Sequence, residues 1–114
     1  MTAERPISWL KDALRDFGAF PLAVQADAAR ALVIAAHGKM AEAAKPFKGV
    51  GSGIFEIALR HRGCAYRVIY DVQAGEAVWV VHAFQKKSKS GIKTPQMEVD
   101  LIRERLKRLK EALK

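Results

Sequence analysis

Residues 66–93 read Tyr-Arg-Val-Ile-Tyr-Asp-Val-Gln-Ala-Gly-Glu-Ala-Val-Trp-Val-Val-His-Ala-Phe-Gln-Lys-Lys-Ser-Lys-Ser-Gly-Ile-Lys, and this stretch decides how the chain folds. Two runs rich in β-branched and aromatic residues, Tyr66–Val72 and Ala77–Phe84, flank a polar break at 73–76. This pattern predicts a β-hairpin, because Gly75 can adopt the positive φ that such a loop usually requires. Both strands are apolar on both faces, so other elements must cover each side of the sheet.

A cationic segment follows the second strand. Lys86, Lys87, Lys89 and Lys93 alternate there with glutamine, serine and glycine, so we expect an exposed loop with little burial. The whole chain of 114 residues carries a formal net charge of +8. A cationic loop at the end of a buried hairpin is suited to anion binding, and the net charge favours a polyanionic partner, either nucleic acid or an acidic protein segment.

The rest of the chain supplies elements that can cover the hairpin. Alternating apolar residues at Ile54–Arg60 predict a third strand, which forms an antiparallel meander with the hairpin. Ile7–Leu10 predicts a short edge strand, followed by a short helix that Gly18 ends. An alanine-rich helix is predicted at Leu22–His37, and residues 39–53 are predicted to be a connector.

Two apolar stripes predict which helix faces are buried. In the alanine-rich helix the stripe is Ala29, Leu32, Val33 and Ala36. A last helix is predicted to begin with Thr94 as its cap and Pro95 in its first turn. Its apolar residues recur at spacings of three and four, at Val99, Ile102, Leu106, Leu109 and Leu113. The arginines and lysines between them, Arg105 included, are interpreted as a solvated face.

Composition narrows the class of protein. Half of the residues (50%) are hydrophobic, enough for one core without disulfides or metal, so we predict a single domain over residues 1–114. The one cysteine, Cys64, excludes an intrachain disulfide and is typical of a reducing, cytosolic protein. Three separate histidines and one cysteine do not make a metal site, and no apolar run is long enough to span a membrane. The glycines at 49, 51 and 53 are not followed by the lysine and the helix that a phosphate-binding loop requires.

Three stretches together resemble a known family. They are Phe-Glu-Ile-Ala-Leu-Arg at 55–60, Ala-Tyr-Arg-Val-Ile-Tyr at 65–70, and Val-Val-His-Ala-Phe-Gln-Lys-Lys-Ser-Lys at 80–89. They resemble toxins of the RelE/ParE superfamily, and more closely its phage-derived HigB-like branch, in which Ala-Phe-Gln-Lys-Lys-Ser/Thr precedes a C-terminal helix. The resemblance implies an α+β fold, with an N-terminal helical hairpin packed on a small antiparallel β-sheet and a C-terminal helix.

The resemblance also implies an activity and partners. RelE and HigB toxins are ribosome-dependent endoribonucleases that cut mRNA by metal-free attack of the 2′-OH on the phosphate, without a cofactor. A cognate antitoxin neutralises them, and in HigB-like pairs this antitoxin carries a helix-turn-helix domain. The expected partners are therefore a HigA-like antitoxin, mRNA and the ribosome. The expected location is the cytoplasm, with no membrane association.

The chemistry implied by the resemblance can be assigned to residues. RNA cleavage of this kind needs a deprotonated 2′-OH, a stabilised phosphorane and a protonated leaving oxygen. Arg67 matches the family's phosphate-binding arginine, whose planar fork can hold two phosphate oxygens. Lys86 and Lys87 match the basic position that can stabilise the transition state. His82 and Tyr70 are candidates for proton transfer by residue type, with a core role as the alternative for both.

Other cations are predicted to bind substrate, and the proton acceptor stays open. The predicted substrate-binding residues are Arg60, Arg62, Lys48, Lys89 and Lys93. RelE carries two lysines on the strand where this chain has Glu56 and Ala58, so that basic pair is absent. Glu56 is either a base or a partner of a nearby arginine, and His61 in the following turn is a further candidate base.

Two other functions remain open alongside the ribonuclease. ParE toxins share the fold but poison DNA gyrase, so fold alone does not settle the activity, and the missing strand lysines keep this alternative. The third possibility is an inactive prophage remnant.

Overall fold

The computed structural model describes residues 4–86 and 94–114. Along these two ranges the chain forms β1 (Ile7–Trp9), α1 (Lys11–Gly18), α2 (Leu22–Ala36), β2 (Ala44–Pro46), β3 (Ile54–His61), β4 (Cys64–Asp71), β5 (Val78–Lys86) and α3 (Gln96–Ala112). None of these helices is long and apolar enough to cross a membrane.

The strands form one sheet in the order β1-β5-β4-β3-β2. Strands β3, β4 and β5 pair antiparallel, which confirms the predicted meander. Strand β1 pairs in parallel with β5, where Ile7 lies opposite Val78. The predicted α+β fold is confirmed, with one parallel pair at the edge of an otherwise antiparallel sheet.

Helices cover both faces of the sheet, as the apolar strands require. The residues of α1 and α2 pack with one sheet face, which includes Ile57, Val68 and Val80. The inner residues of α3 pack with the other face, which includes Ile69 and Val81. Since β4 and β5 contribute buried side chains to both clusters, the central hairpin is enclosed between two helical layers.

The two turns of the meander differ in geometry. Arg62 and Gly63 join β3 to β4 with φ of 51° and 80°, a two-residue loop whose twist suits an antiparallel hairpin. The register between β4 and β5 shifts after Ile69, so that Val81 is an extra residue between Val80 and His82. This β-bulge changes the direction of the second half of β5.

Three local predictions are wrong. The residues predicted as a connector contain β2, which pairs antiparallel with β3 through Lys45 and Glu56. In α2, Ala29 and Val33 are exposed, while Ala28, Ala31 and Ala35 are buried with Leu32 and Ala36. An alanine-rich helix has little contrast between its faces, so the stripe was off by one residue.

The third wrong prediction is the cap of α3. Pro95 takes the cap position without a side-chain hydrogen bond, and Thr94 contacts Glu56 on β3 instead. The hydroxyl of Thr94 therefore joins the start of α3 to the sheet.

Candidate nucleic-acid interface

The sheet register brings several cations to the face that α3 covers. In the cross-strand register Lys45 lies opposite Glu56, and Lys86 lies opposite Ala65. Arg67 lies between Ala58 on β3 and Phe84 on β5. Residues directly opposite each other on neighbouring strands project to the same face. Lys45, Arg60, Arg67 and Lys86, together with Glu56, are called the basic cluster below.

Glu56 lies at the centre of the basic cluster. Its Oε1 lies 3.7 Å from Nζ of Lys45, and its Oε2 lies 3.7 Å from Nε of Arg67. The hydroxyl Oγ1 of Thr94 donates to Oε2 at 3.4 Å. The Glu56 residue is only 4% exposed, so its carboxylate is buried among groups that compensate its charge.

Arg67 is positioned by β4 itself and by Glu56. Its Nη1 donates to the carbonyl oxygen of Tyr66 at 3.2 Å, and its side chain is 15% exposed. A guanidinium with an anionic neighbour on one side and the protein backbone on another has a defined orientation. The remaining exposed part of Arg67 can bind a phosphate oxygen.

Lys86 lies in β5 and not in the loop, so the expectation that it has little burial is wrong. It is the last residue of β5 and is buried. Burial lowers the pKa of its ammonium group, and the nearby charges of Arg67, Lys45 and Arg60 lower that pKa further, while Glu56 opposes them. Lys86 therefore lies within electrostatic reach of both Arg67 and Arg60.

The other predicted cations are spread more widely. Arg62 is exposed in the β3–β4 turn, and Lys48 is exposed in the turn after β2. Lys87, Lys89 and Lys93 lie outside the described residues. The structure thus brings Arg60, Arg67 and Lys86 together.

The two predicted proton-transfer residues are buried on opposite faces of the sheet, Tyr70 on the face covered by α2 and His82 on the face covered by α3. Tyr70 is 1% exposed and stacks on Phe55, with ring centroids 5.4 Å apart, on the face covered by α2. Burial raises the pKa of Tyr70 to about 12. Its phenol thus holds its proton firmly at neutral pH.

His82 belongs to a buried polar network between β5 and α3. Its Nε2 lies 2.7 Å from Oε1 of Glu98, and its Nδ1 lies 2.8 Å from Nη1 of Arg105. Arginine can only donate, so Nδ1 of His82 must accept, and the ring proton is on Nε2. Burial lowers the pKa of His82, the hydrogen bond to Glu98 raises it, and the Arg105 charge adds to the lowering.

Sequence reasoning missed the positioning role of three residues that hold these groups in place: Thr94, Glu98 and Arg105. Arg105 is 4% exposed, although it was interpreted as part of a solvated face. A signal for its burial was present, because position 105 lies three residues after Ile102 and four before Leu109, within the apolar stripe. Among the described residues, no group of histidine, cysteine, aspartate and glutamate could hold a metal ion.

Comparison with known proteins identifies the family. The family model described as "Phage derived protein Gp49-like (DUF891)" matches residues 15–107, which is most of the chain. The chain belongs to that family. No curated protein matches its sequence.

Two solved structures show that this Gp49-like chain has the fold of RelE toxins. A double arginine-to-alanine variant of E. coli toxin RelE in the free state is 19% identical with a TM-score of 0.63, covering 93% of this chain and 98% of that one. The toxin–antitoxin complex RelBE2 from Mycobacterium tuberculosis is 17% identical with a TM-score of 0.52, covering 77% of this chain and 98% of that one. At such identities the likeness concerns the fold.

Proposed function

We propose that this Gp49-like protein is the toxin of a type II toxin–antitoxin pair, and that it cleaves mRNA on the ribosome without a metal ion. The basic cluster is the observation that carries the proposal. Arg67, Lys86 and Arg60 lie close together on one face of the sheet, at the end of β5 and beside the start of α3. A set of preorganised cations of this kind can bind a phosphate and stabilise the charge that develops on it during cleavage.

Within this proposal the residues have different roles. Arg67 binds the phosphate, because its charge is permanent and its orientation is set by Glu56 and the Tyr66 carbonyl. Lys86 stabilises the transition state from the neighbouring strand. Glu56 replaces one of the lysines of RelE and is the described carboxylate in contact with Arg67. It accepts the 2′-OH proton or holds Arg67, and replacement by glutamine separates these roles.

The central experiment measures mRNA cleavage by primer extension in cells that express each variant. Arg67→Ala and Lys86→Ala are expected to reduce cleavage by ~10²-fold or more, as does the loss of one preorganised donor. The matched control is Arg30→Ala, because the Arg30 side chain is 70% exposed on α2, which covers the sheet face opposite the basic cluster. Thermal melts of the purified proteins separate loss of cleavage from loss of folding, since Arg67 and Lys86 are both partly or fully buried.

Glu56→Gln refines the result. If Glu56 accepts the 2′-OH proton, Glu56→Gln is expected to lose cleavage at every pH. If Glu56 only orients Arg67, Glu56→Gln is expected to cleave more slowly but with the pH profile of the wild type. Full cleavage by folded Arg67→Ala and Lys86→Ala proteins would contradict the proposal.

A non-nuclease toxin of the ParE type is the second candidate. It is favoured by Glu56, which lies on the strand where RelE carries lysines and compensates the charges of Lys45 and Arg67. Growth arrest without mRNA cleavage, together with inhibition of DNA supercoiling by gyrase, would support it. Unchanged growth on induction would indicate an inactive prophage remnant.

The proposed partner is a cognate antitoxin with a HigA-like helix-turn-helix domain, in the cytoplasm. Support comes from the RelBE2 structure, which is a toxin–antitoxin complex with this fold. The test is co-expression with the neighbouring reading frame. It should restore growth and give a complex that stays associated at moderate salt, and failure to associate would remove the basis for a toxin–antitoxin pair.

A further inference from the structure

A cavity of about 370 Å³ lies at the edge of β5, between the end of α1 and the start of α3. Strand β1 pairs with β5 only from Val78 to Val80, so in the described chain no strand pairs with that edge of residues 82–86. The cavity is lined there by Asp16, Phe20, Tyr66, Phe84, Gln85 and Glu98, with His82 behind Glu98. It is called the edge pocket below.

The edge pocket combines aromatic rings with two carboxylates. Phe20 and Tyr66 contact each other edge to face at 4.9 Å, and His82 and Phe84 stack at 5.0 Å. One oxygen of Glu98 accepts the proton of His82, and the Glu98 side chain is still 23% exposed. The Asp16 side chain is 36% exposed and contacts the exposed Arg15 through Oδ1. The pocket carboxylates are therefore reachable, and they can only accept hydrogen bonds when ionised.

The edge pocket adjoins the basic cluster. Phe84, which lines the pocket, is the cross-strand partner of Arg67, and Lys86 is two residues further along the same strand. Adjacent strands are only about 4.8 Å apart, so a nucleotide whose phosphate contacts Arg67 can place its base beside Phe84. Sites for single-stranded RNA commonly join an aromatic wall for the base to cations for the phosphate.

We propose that the edge pocket binds an RNA base that carries an exocyclic amino group, and discriminates against uracil. This inference rests on the proposed function, because the phosphate of the same nucleotide would occupy the basic cluster. Cytosine presents an N4 amino donor, which a carboxylate accepts well. Uracil has a carbonyl oxygen at that position, and two lone-pair acceptors facing each other repel. Glu98 and Asp16 thus favour cytosine over the otherwise similar uracil.

A lysine or arginine of a protein partner could also satisfy two carboxylates. The neighbouring charges disfavour this occupant, because Arg67 and Lys86 lie beside the pocket residue Phe84 in the sheet and would repel a cationic segment. RNA brings its own negative charge to those cations. The charge distribution around the edge pocket therefore favours a nucleotide.

The test compares binding of oligo(C) and oligo(U) RNAs of equal length to the purified protein, by fluorescence anisotropy at one salt concentration. The wild type is expected to bind oligo(C) roughly tenfold more tightly, the size of one good base-edge contact. Glu98→Gln keeps an oxygen that can accept from His82 but removes the charge, so the preference for cytosine should shrink. Glu104→Gln is the matched control, since Glu104 is exposed on the same helix.

Each outcome bears on one of the two proposals. Equal binding of both RNAs by the wild type, or no binding of either, would overturn the base pocket. If Glu98→Gln melts at a lower temperature, Asp16→Asn on α1 serves as the second variant, and an unchanged preference in both would also overturn it. Arg67→Ala should weaken the binding of both RNAs equally. Unchanged binding by Arg67→Ala would contradict the proposed function instead. Glu98-dependent binding of an arginine oligopeptide in preference to RNA would assign the pocket to a protein cation.

Discussion

The Nη1 nitrogen of Arg105 lies 2.8 Å from Nδ1 of His82 and 3.1 Å from the carbonyl oxygen of Val81. One buried arginine of α3 thus donates to a side chain and to the backbone of β5, at the β-bulge that contains Val81. His82 in turn donates to Glu98 in the first turn of α3. Two positions of α3, two turns apart, are joined to the same short segment of β5, so this network holds the helix against the sheet.

Replacing Arg105 by methionine is expected to lower the free energy of unfolding by about 1–3 kcal/mol. Methionine keeps much of the aliphatic volume but removes the donor that serves Nδ1 of His82 and the oxygen of Val81, and loss of the donor to a buried acceptor costs about that much. Urea denaturation measures the difference. Arg108→Met on the same helix is the control, because Arg108 is exposed and should change stability by less than about 0.5 kcal/mol. Equal stability of the two variants would show that the network contributes little.

Stability is expected to fall as the solution is acidified from neutral pH, because the pKa of His82 in the folded protein is lowered below 6.5. The unfolded chain binds a proton at His82 more readily than the folded chain does. The contribution of neutral His82 to the free energy of unfolding is therefore complete above pH 6.5. It declines as the pH falls from there towards the folded pKa, by at most ~1.4 kcal/mol per pH unit for one proton.

His82→Gln provides the comparison for that pH dependence. The glutamine amide can donate to Glu98 and accept from Arg105 without titrating, so its loss of stability on acidification should be smaller than in the wild type. His37→Gln, at an exposed position after α2, is the control. Parallel stability curves for the wild type and His82→Gln would exclude His82 as the source.

RNA binding is expected to weaken at alkaline pH before the solution reaches 10.5, because burial and the neighbouring cations lower the pKa of Lys86 below that value. As the pH rises through the lowered pKa, the ammonium group loses its charge and its attraction for phosphate. Lys86→Arg keeps its charge throughout, since the guanidinium does not deprotonate in this range. Anisotropy titrations over the alkaline range should show a decline for the wild type and a flatter curve for Lys86→Arg. Identical curves would mean that Lys86 does not contact the RNA.

The sequence predicts the meander because its signals are local. Each strand has its own run of β-branched or aromatic residues, and short turns link them, so pairing of neighbours follows. Strand β2 has no such signal, since Ala44–Pro46 contains alanine, lysine and proline. It exists because β3 offers an open edge, which is a tertiary effect that local propensity does not report.

The candidate site could be predicted in part. Arg67 and Lys86 follow from the resemblance and from charge, and the cross-strand register brings them near each other. The partners of those groups could not be inferred, because Lys45, Thr94 and Glu98 reach the site from elements whose relative placement only the packed fold defines. Burial of Lys86 was also hidden, because its neighbours Gln85 and Lys87 are polar.

The parallel pair of β1 and β5 has a consequence for how the chain folds as it is synthesised. Ile7 and Trp9 pair with Val78 and Val80, and Arg5 donates to the carbonyl oxygens of Val72 and Ala77. Strand β1 therefore cannot pair until β5 has been synthesised. Two helices and three strands lie between β1 and β5 in the chain. Contacts between such distant segments form late and slow folding. A ribosome that makes this protein consequently carries a nascent chain with an open sheet edge until β5 has emerged.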